Sequence, residues 1–589
     1  MPPMLYSLSG IAFALVFLAF CYLLGSGILA RLQLAGGQAD TASNQLLAIP
    51  VGMGGAFLTL FLVAAVYRLN AANLMAISVI LLLPAAWWLH GYGAGWRASL
   101  KNLPGRCWKL CGEYPLGATT LLLAAALGFL LAMGAPLEWD ELAYHLPYAR
   151  DYAEAGGLVV SERLRFPLHS HNVQLVWTAA LLFSSEAATH LINAFCAALV
   201  ATGIYIYARD SFGRATGILA ALLYLYFCRS LLDTAYVDLA LSLFVFSSFL
   251  ALAQWQTGRS DGYLYISAFL LAMAAGIKYQ GLMQVPAFGM ALIIASRGAI
   301  APLAKAVAVF LVFGSWWYVR NWLISGDPFH PIGGPWFGYW LWDEVDLAGQ
   351  YADFERFRHH LPLVLVPALA FAALPGKRAP REVTLLVLGL TGLAAWYLTS
   401  RYDRYLIPSI PFLAILSSRV LVQAAGRMGS ARISGSLRSL TGHKAFQYTG
   451  LALLVLAAGL TVRKQWSETC FTYACIDRVY SAELLSYRVA DKVPGLDQMK
   501  LYQYGLENEL YTLPDGTAGD WFGPYRYRDV HARLGDPPAL REHLQRLDRD
   551  SILVNRAQEY FGQFPDSAEL SEHFEVLYED ESVSLYRLR

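Results

Sequence analysis

The chain has 589 residues, of which 57% are hydrophobic and 15% charged, with a formal net charge of +1 and a mean hydropathy of +0.42. Soluble domains carry about 25% charged residues, so an ordinary soluble protein is excluded and an integral membrane protein is expected. The near-zero net charge supplies no bulk field for nucleic acid, and apolar runs of helical length exclude a barrel built from alternating segments of about ten residues.

A span needs roughly 20 apolar residues to cross ~30 Å of hydrocarbon. In chain order such runs lie near 5–30, 46–66, 73–90, 115–135, 187–208, 215–232, 237–255, 263–277, 281–296, 301–319, 361–375, 382–399, 406–423 and 446–463. The expected fold is therefore a multi-span α-helical membrane protein with about fourteen transmembrane helices. The run at 5–30 is too long for a cleavable signal peptide and has no basic n-region, so it is expected to stay as a span. Aromatic-rich stretches at 136–186 and 320–360 are expected as outer loops.

From residue 464 the composition turns polar. Short runs at Lys500–Tyr504, Ser551–Asn555 and Val583–Leu588 read as edge-like strands, the last alternating as a half-buried strand does, and Pro538–Leu547 reads as a helix. The expected domains are a three-span extension with a basic loop at 1–114, a catalytic membrane domain at 115–463, and a small α/β domain at 464–589. The positive-inside rule sets the orientation. With the 136–186 loop outside, the clusters Arg97, Lys101, Arg106 and Lys109; Lys377, Arg378 and Arg381; and Arg427, Arg432, Arg438 and Lys444 all fall inside. The outer loops and the tail are then extracytoplasmic, on the periplasmic side of an inner membrane. Cys21, Cys196 and Cys228 read as small core hydrophobes, Cys107 and Cys111 lie in the basic loop, and Cys470 and Cys475 suit a local disulfide if their side is oxidising.

The chemistry centres on WDELAYHLPYAR, residues 139–150, which follows an apolar run directly. Charge near hydrocarbon is expensive and usually functional, so Asp140 and Glu141 are candidate catalytic acids. The bland reading is a cap: Asp140 starting a short helix from Glu141 that Pro147 interrupts. Tyr144, His145 and Tyr148 follow Glu141 at helical spacing and would form a polar pocket with it. Lys278, in AAGIKYQGL, either snorkels to the interface or meets a lipid phosphate. Arg320, in WWYVRNWLISGDPFHP, either anchors a helix end or binds phosphate. In RYDRYLIP, Arg401 and Arg404 flank Asp403 and Tyr402; they match phosphate geometry or neutralise the aspartate. Asp238 is a second candidate acid or a cap. His169 and His171, with His145, form a weak metal signal because nothing in their spacing defines a site; the sequence makes no cofactor certain, and supports a divalent metal only weakly.

Taken together these motifs resemble the GT-C superfamily of polyprenyl-phosphate-sugar glycosyltransferases, in particular the bacterial protein O-mannosyltransferase and lipid A aminoarabinose transferase branch. The resemblance covers roughly residues 115–423 and rests on the acidic pair, Asp238, GIKY, YVRNWLISGDPFHP and RYDRYLIPSIP. It implies a polyprenyl-phosphate-linked sugar as donor and an extracytoplasmic acceptor, which is a lipid, a surface glycan or a protein. It makes Asp140 the general base with Glu141 in reserve, and Lys278, Arg320, Arg401 and Arg404 the donor-phosphate candidates. Tyr144, His145, Asp238 and Tyr402 become substrate-pocket candidates. Attack opposite the leaving phosphate implies inversion at the anomeric carbon. The chain departs from the pattern in its three additional N-terminal spans. The W-W-D-x-G signature of oligosaccharyltransferases is absent, and WWYVR does not replace it. Rival readings are a polysaccharide polymerase or ligase with a lipid-pyrophosphate donor, and a transporter or flippase for lipid-linked sugars, which inverted repeats would favour.

Overall fold

A computed structural model describes residues 6–32, 42–87, 90, 126, 128–356, 358–373, 378–430, 469–557, 564–565 and 567–589. The expected span at 446–463, most of that at 115–135, and the loop with Cys107 and Cys111 lie outside the described residues. Among the described residues six helices are long and apolar enough to cross a membrane: α1 (Tyr6–Arg31), α2 (Gln45–Ala65), α3 (Ala187–Phe212), α4 (Asp238–Gly258), α5 (Pro380–Leu398) and α6 (Asp403–Gly426). Two further apolar helices, Ile300–Gly314 and Trp316–Ser325, meet at 54° where a single run was expected, as a broken span or a re-entrant loop. Shorter apolar helices include Ala71–Trp87, Asp261–Ala275, Tyr279–Ala295 and Leu363–Ala373.

Helix α4 is the axis of the bundle. Every residue from Asp238 to Leu252 is buried, as a helix apolar on all sides must be. Phe246 and Phe249 meet Phe412 of α6 with ring centroids at 6.0 and 5.4 Å. The N-terminal extension is held by small residues, since without a hydrophobic drive in lipid close backbone packing must supply the attraction. A Cβ on Gly25 would lie 1.8 Å from the Ala48 carbonyl, and one on Gly52 would lie 1.8 Å from that of Cys21. Helix α1 continues onto α3, where Gly10 meets Ala187.

The stretch 136–186, expected as a loop, contains a further apolar helix, Asn172–Phe183, whose first nine residues are buried. Twelve residues are too few to cross, which is why the run did not register as a span; the helix lies inside the bundle. Pro147 does not interrupt a helix. It sits in the first turn of Leu146–Ala155, where its missing N–H costs nothing.

The C-terminal part is an α/β unit with a four-stranded sheet in the order β1 (Leu501–Tyr504), β2 (Ser551–Asn555), β4 (Val583–Leu588), β3 (Phe574–Glu579). β1 and β2 are parallel, and β4 runs antiparallel to both its neighbours. The helix expected at Pro538–Leu547 spans Pro537–Arg546, and β3 is a strand that the sequence pattern did not reveal. β2 and β4 are interior strands, so the expectation of edge strands and a half-buried β4 is corrected: Val583 to Tyr586 are all buried. Both faces are covered. Tyr502, Ile552, Val554 and Tyr586 face a core of the unit's own, while Leu501, Leu553, Val583 and Leu585 belong to the core that runs on into the membrane bundle.

Polar contacts complete the docking. Arg165 pairs with Asp520, its Nε lying 3.1 and 3.2 Å from the two carboxylate oxygens. Its guanidinium lies over Trp139 at 4.7 Å and over Phe522 at 5.0 Å. The Tyr511 hydroxyl donates to Glu186 at 2.6 Å, and Arg150 donates to the Tyr511 carbonyl at 2.8 Å. Cys470 and Cys475 form a disulfide at the entry to this unit. Replacing Arg165 with Ala leaves Asp520 buried without its countercharge, a loss of about 3–5 kcal/mol. The expected outcome is faster hydrogen exchange and proteolysis confined to residues 469–589, with α1–α6 unaffected.

Candidate active site

The acidic pair splits into two different jobs. A π-helical turn over Glu141–His145 leads into the helix Leu146–Ala155, and such turns, with their wider pitch, concentrate at functional sites. Asp140 is helical in backbone and makes no capping hydrogen bond, so the capping reading is corrected. Its carboxylate instead takes a hydrogen bond from the Tyr144 hydroxyl and an ion pair from Arg404, NH1 to Oδ2 2.7 Å. Its backbone N–H donates to the Tyr236 hydroxyl at 3.2 Å.

Glu141 is fully buried, and both its oxygens are committed. One accepts from the backbone N–H groups of Leu137 and Glu138 at 2.7 and 2.8 Å. The other accepts from the Ala235 N–H at 2.7 Å and is bonded to His190 Nε2 at 2.9 Å. A carboxylate holding four donors is a bracket. It ties the start of the 136–186 segment to α3 and to the turn before α4, and the expectation of a reserve base is corrected on that ground.

A cavity of about 730 Å³ lies beside Asp140. Its lining includes Asp140, Tyr144, His145, Gln174, Lys278, Tyr402 and Arg404, together with Glu507 and Trp521 from the C-terminal unit. Lys278 Nζ lies 3.1 Å from Asp238 Oδ1 and 4.3 Å from the centre of the Tyr405 ring. Asp238, at the start of α4, thus acts on the cavity through Lys278. Arg404 is framed by the rings of Tyr236, Tyr405 and Tyr402 at 4.9, 5.5 and 5.7 Å, and its Nε is buried with no partner. The cavity wall therefore carries two acid–cation pairs and one guanidinium edge still free to bind.

Two expected phosphate ligands stand elsewhere. Arg320 lies over Trp317 at 5.6 Å, with NH2 3.4 Å from the Val159 carbonyl. Arg401, half-buried, lies at 3.8 Å over the Tyr397 ring and donates to the Tyr397 carbonyl. Neither lines the cavity; each meets an aromatic ring and a backbone carbonyl, and Arg320 keeps one guanidinium nitrogen buried without a partner. Tyr148 turns away as well, donating to the Arg165 carbonyl at 3.1 Å. All three histidines line the cavity, each with its own partner: His169 stacks on Phe166 at 4.4 Å, His171 Nδ1 bonds the Tyr152 hydroxyl at 2.7 Å, and His145 Nδ1 bonds Gln174 Nε2 at 2.9 Å. Among the described residues no three His, Cys, Asp or Glu groups converge as a metal site. His190, Tyr236, Gln174, Arg165, Glu507 and Trp521 are parts of the region that sequence reasoning missed. His190 sits inside an apolar run, and such an intramembrane ionisable residue was the one readable signal among them.

Two family models match the chain. Residues 173–318 match the one described as dolichyl-phosphate-mannose-protein mannosyltransferase, and residues 477–587 match one described as SF2091/S2213. The uncharacterized protein SF2092/S2214 of Shigella flexneri is 34% identical over 139 residues, covering 20% of this chain and 74% of that protein. The chain belongs to the same family as SF2092/S2214. A second Shigella flexneri protein, SF2093/S2215, is 32% identical over 133 residues, 22% of this chain and 66% of its own length. Of solved structures, ArnT from Cupriavidus metallidurans bound to undecaprenyl phosphate is 14% identical with a TM-score of 0.47, covering 81% of this chain and 98% of that one. The Archaeoglobus fulgidus oligosaccharyltransferase tethered to an acceptor peptide is 12% identical with a TM-score of 0.46, covering 76% and 70%. No residue role is carried over from either structure. The mannosyltransferase-family match lies in the membrane part of the chain, over residues 173–318 of 589, and is a likeness over that part.

The electrostatics of Asp140 have a testable sign. Burial pushes its carboxyl up, but Arg404 and the Tyr144 hydrogen bond outweigh burial and hold it below the ordinary value. A depressed carboxyl stabilises the fold above its unfolded pKa of about 3.9, and that contribution is lost as pH falls through the lower folded value. The unfolding temperature of wild type relative to Asp140→Asn should thus be flat from about pH 8 to about pH 5 and drop only below about pH 4. Glu141→Ala strips four donors of their acceptor and is expected to cost about 3 kcal/mol or more, read as a lowered unfolding temperature and poor folded yield. Asp140→Asn should keep the wild-type yield.

Proposed function

We propose that this protein is a membrane glycosyltransferase of the GT-C superfamily that moves a sugar, with inversion, from a polyprenyl-phosphate donor to an extracytoplasmic acceptor. The observation that carries the reading is the Asp140–Arg404 pair beside Lys278 in one cavity, with the Arg404 Nε edge unpartnered. A donor phosphate brings negative charge that Lys278 and the open edge of Arg404 are placed to neutralise, and a guanidinium can share its donors between two acceptors. As Arg404 turns part of its charge to the phosphate, Asp140 loses its main countercharge and becomes a better base.

The acceptor's hydroxyl or amine oxygen or nitrogen then attacks the anomeric carbon as the bond from that carbon to the phosphate oxygen breaks. The bonding electrons leave with the phosphate, whose growing charge the two cations stabilise, and the acceptor's proton passes to Asp140. Tyr144, bonded to Asp140, keeps the carboxylate aimed. Asp238 holds Lys278 forward.

The periplasmic orientation is part of the proposal. Two independent features support it: the inside placement of the basic clusters, and the Cys470–Cys475 disulfide, which persists only in an oxidising compartment. We assign residues 1–114 as a three-span N-terminal extension with a basic cytoplasmic loop, 115–463 as the catalytic membrane domain and 464–589 as an extracytoplasmic α/β domain.

The test is transfer of radiolabelled sugar from a panel of polyprenyl-phosphate sugars to cell-envelope acceptors. Asp140→Asn should lower the rate by at least about a hundredfold, the contribution of a positioned base, in a variant that remains folded. Equal rates for both proteins would remove Asp140 from the base role. The product of the wild-type reaction should have inverted anomeric configuration by NMR; retained configuration, or a trapped glycosyl-enzyme, would overturn the direct-attack step. Transfer only from pyrophosphate-linked oligosaccharides would replace this reading with a polymerase.

A further inference from the structure

Beyond the acid and the two cations, one part of the cavity wall carries polar atoms that nothing in the protein satisfies. His145 and Gln174 are each 3% exposed and Ser170 is 2% exposed, and all three line the cavity. His145 Nε2 and Gln174 Oε1 are buried without a hydrogen-bond partner, and the Ser170 hydroxyl, which meets Tyr318, lies on the same wall. Leaving such groups unmade costs about 1–3 kcal/mol each, so two orphaned atoms on adjoining side chains in one wall point to a ligand that makes the bonds.

The bond between His145 and Gln174 decides what that ligand is. His145 Nδ1 lies 2.9 Å from Gln174 Nε2. With the amide placed so, Nδ1 accepts, Nε2 therefore carries the ring hydrogen, and the pair shows the cavity one donor (Nε2–H) and one acceptor (Oε1). With the amide turned over, Nδ1–H donates to the amide oxygen, Nε2 becomes the acceptor and the amide NH2 the donor. In either arrangement the cavity meets one donor and one acceptor together. Burial pushes the imidazole down to about 3, with Lys278 and Arg404 adding to the effect against Asp140, so the ring stays neutral at working pH and does not compete for phosphate.

We propose that His145 and Gln174, with Ser170, form a sugar-hydroxyl subsite that selects the sugar bound next to Asp140. A hydroxyl is both donor and acceptor, and a neighbouring pair of hydroxyls matches a donor–acceptor pair in both of its arrangements; a phosphate, which only accepts, matches neither fully. The reading deepens the transferase proposal and rests on it for which sugar enters. That sugar is the donor's transferred residue or a sugar of the acceptor, since both present the same chemistry.

The test measures binding, so that it stands apart from turnover. Full-length protein in nanodiscs is titrated with undecaprenyl phosphate, with its mannose, glucose, galactose and N-acetylglucosamine derivatives, and with the corresponding methyl glycosides. Wild type should bind at least one sugar-bearing probe about tenfold more tightly than its sugarless or epimeric counterpart, the worth of one to two neutral hydrogen bonds. Gln174→Leu and His145→Phe should abolish that preference, and Ser170→Ala should reduce it, with affinity for undecaprenyl phosphate unchanged in all three. Preference among the lipid-linked probes places the donor sugar in the subsite; preference among the methyl glycosides places the acceptor there. In wild type alone, independent of any variant's folding, one monodeoxy form of the preferred sugar should lose the same factor. Equal binding of all monodeoxy forms, preference surviving in both Gln174→Leu and His145→Phe, or no sugar preference in wild type would each overturn the subsite. A sugar preference lost in the variants, in a wild type that transfers nothing, would keep the subsite and overturn the transfer reaction instead.

Discussion

A buried carboxylate survives as a carboxylate only where a cation and hydrogen bonds offset its desolvation, and the Asp140–Arg404 contact meets that condition here. Much of the surrounding architecture holds these two groups at bonding distance. Asp140 enters on the segment after a membrane run, and Arg404 enters at the start of α6, more than 260 positions later in the chain. The Glu141 bracket fixes one end of that distance by tying the backbone at 137–138 to α3 and to the turn before α4. The tyrosine rings around Arg404 fix the other.

The C-terminal unit belongs to this arrangement. One face of its sheet shares the core of the membrane bundle, and its residues Glu507 and Trp521 reach the cavity. Arg165 does two things at once: it lines the cavity and, through Asp520, pins the C-terminal unit beside it. Covering a cavity in this way lowers the local dielectric, which strengthens the charge interactions among Asp140, Arg404 and Lys278.

Some errors of sequence reading had a common source. Adjacent acids look alike in a string, yet Asp140 and Glu141 point to different surroundings because a helical turn separates successive side chains by roughly 100°. Arg401 and Arg404 are similarly alike in the motif, but one lies over Tyr397 and the other faces Asp140. The helix Asn172–Phe183 was hidden because burial inside a bundle needs no minimum length, whereas crossing a bilayer does. It carries Gln174, and with it half of the donor–acceptor pair in the cavity wall.

Sequence alone determined the apolar surroundings this protein needs, the approximate positions of its six long apolar helices among the described residues, the α/β character of the tail and the glycosyltransferase resemblance. Those properties follow from composition and from periodicities of a few residues, which are local and survive without knowledge of neighbours. It also picked out Asp140, Lys278 and Arg404, because charge beside an apolar run is conspicuous. Only the tertiary structure decided which acid is a bracket and which faces the cavity, which arginines line it, and that His145 and Gln174 leave a donor and an acceptor open. Those are properties of partners far apart in the chain, and a hydrogen bond is defined by where the second atom is.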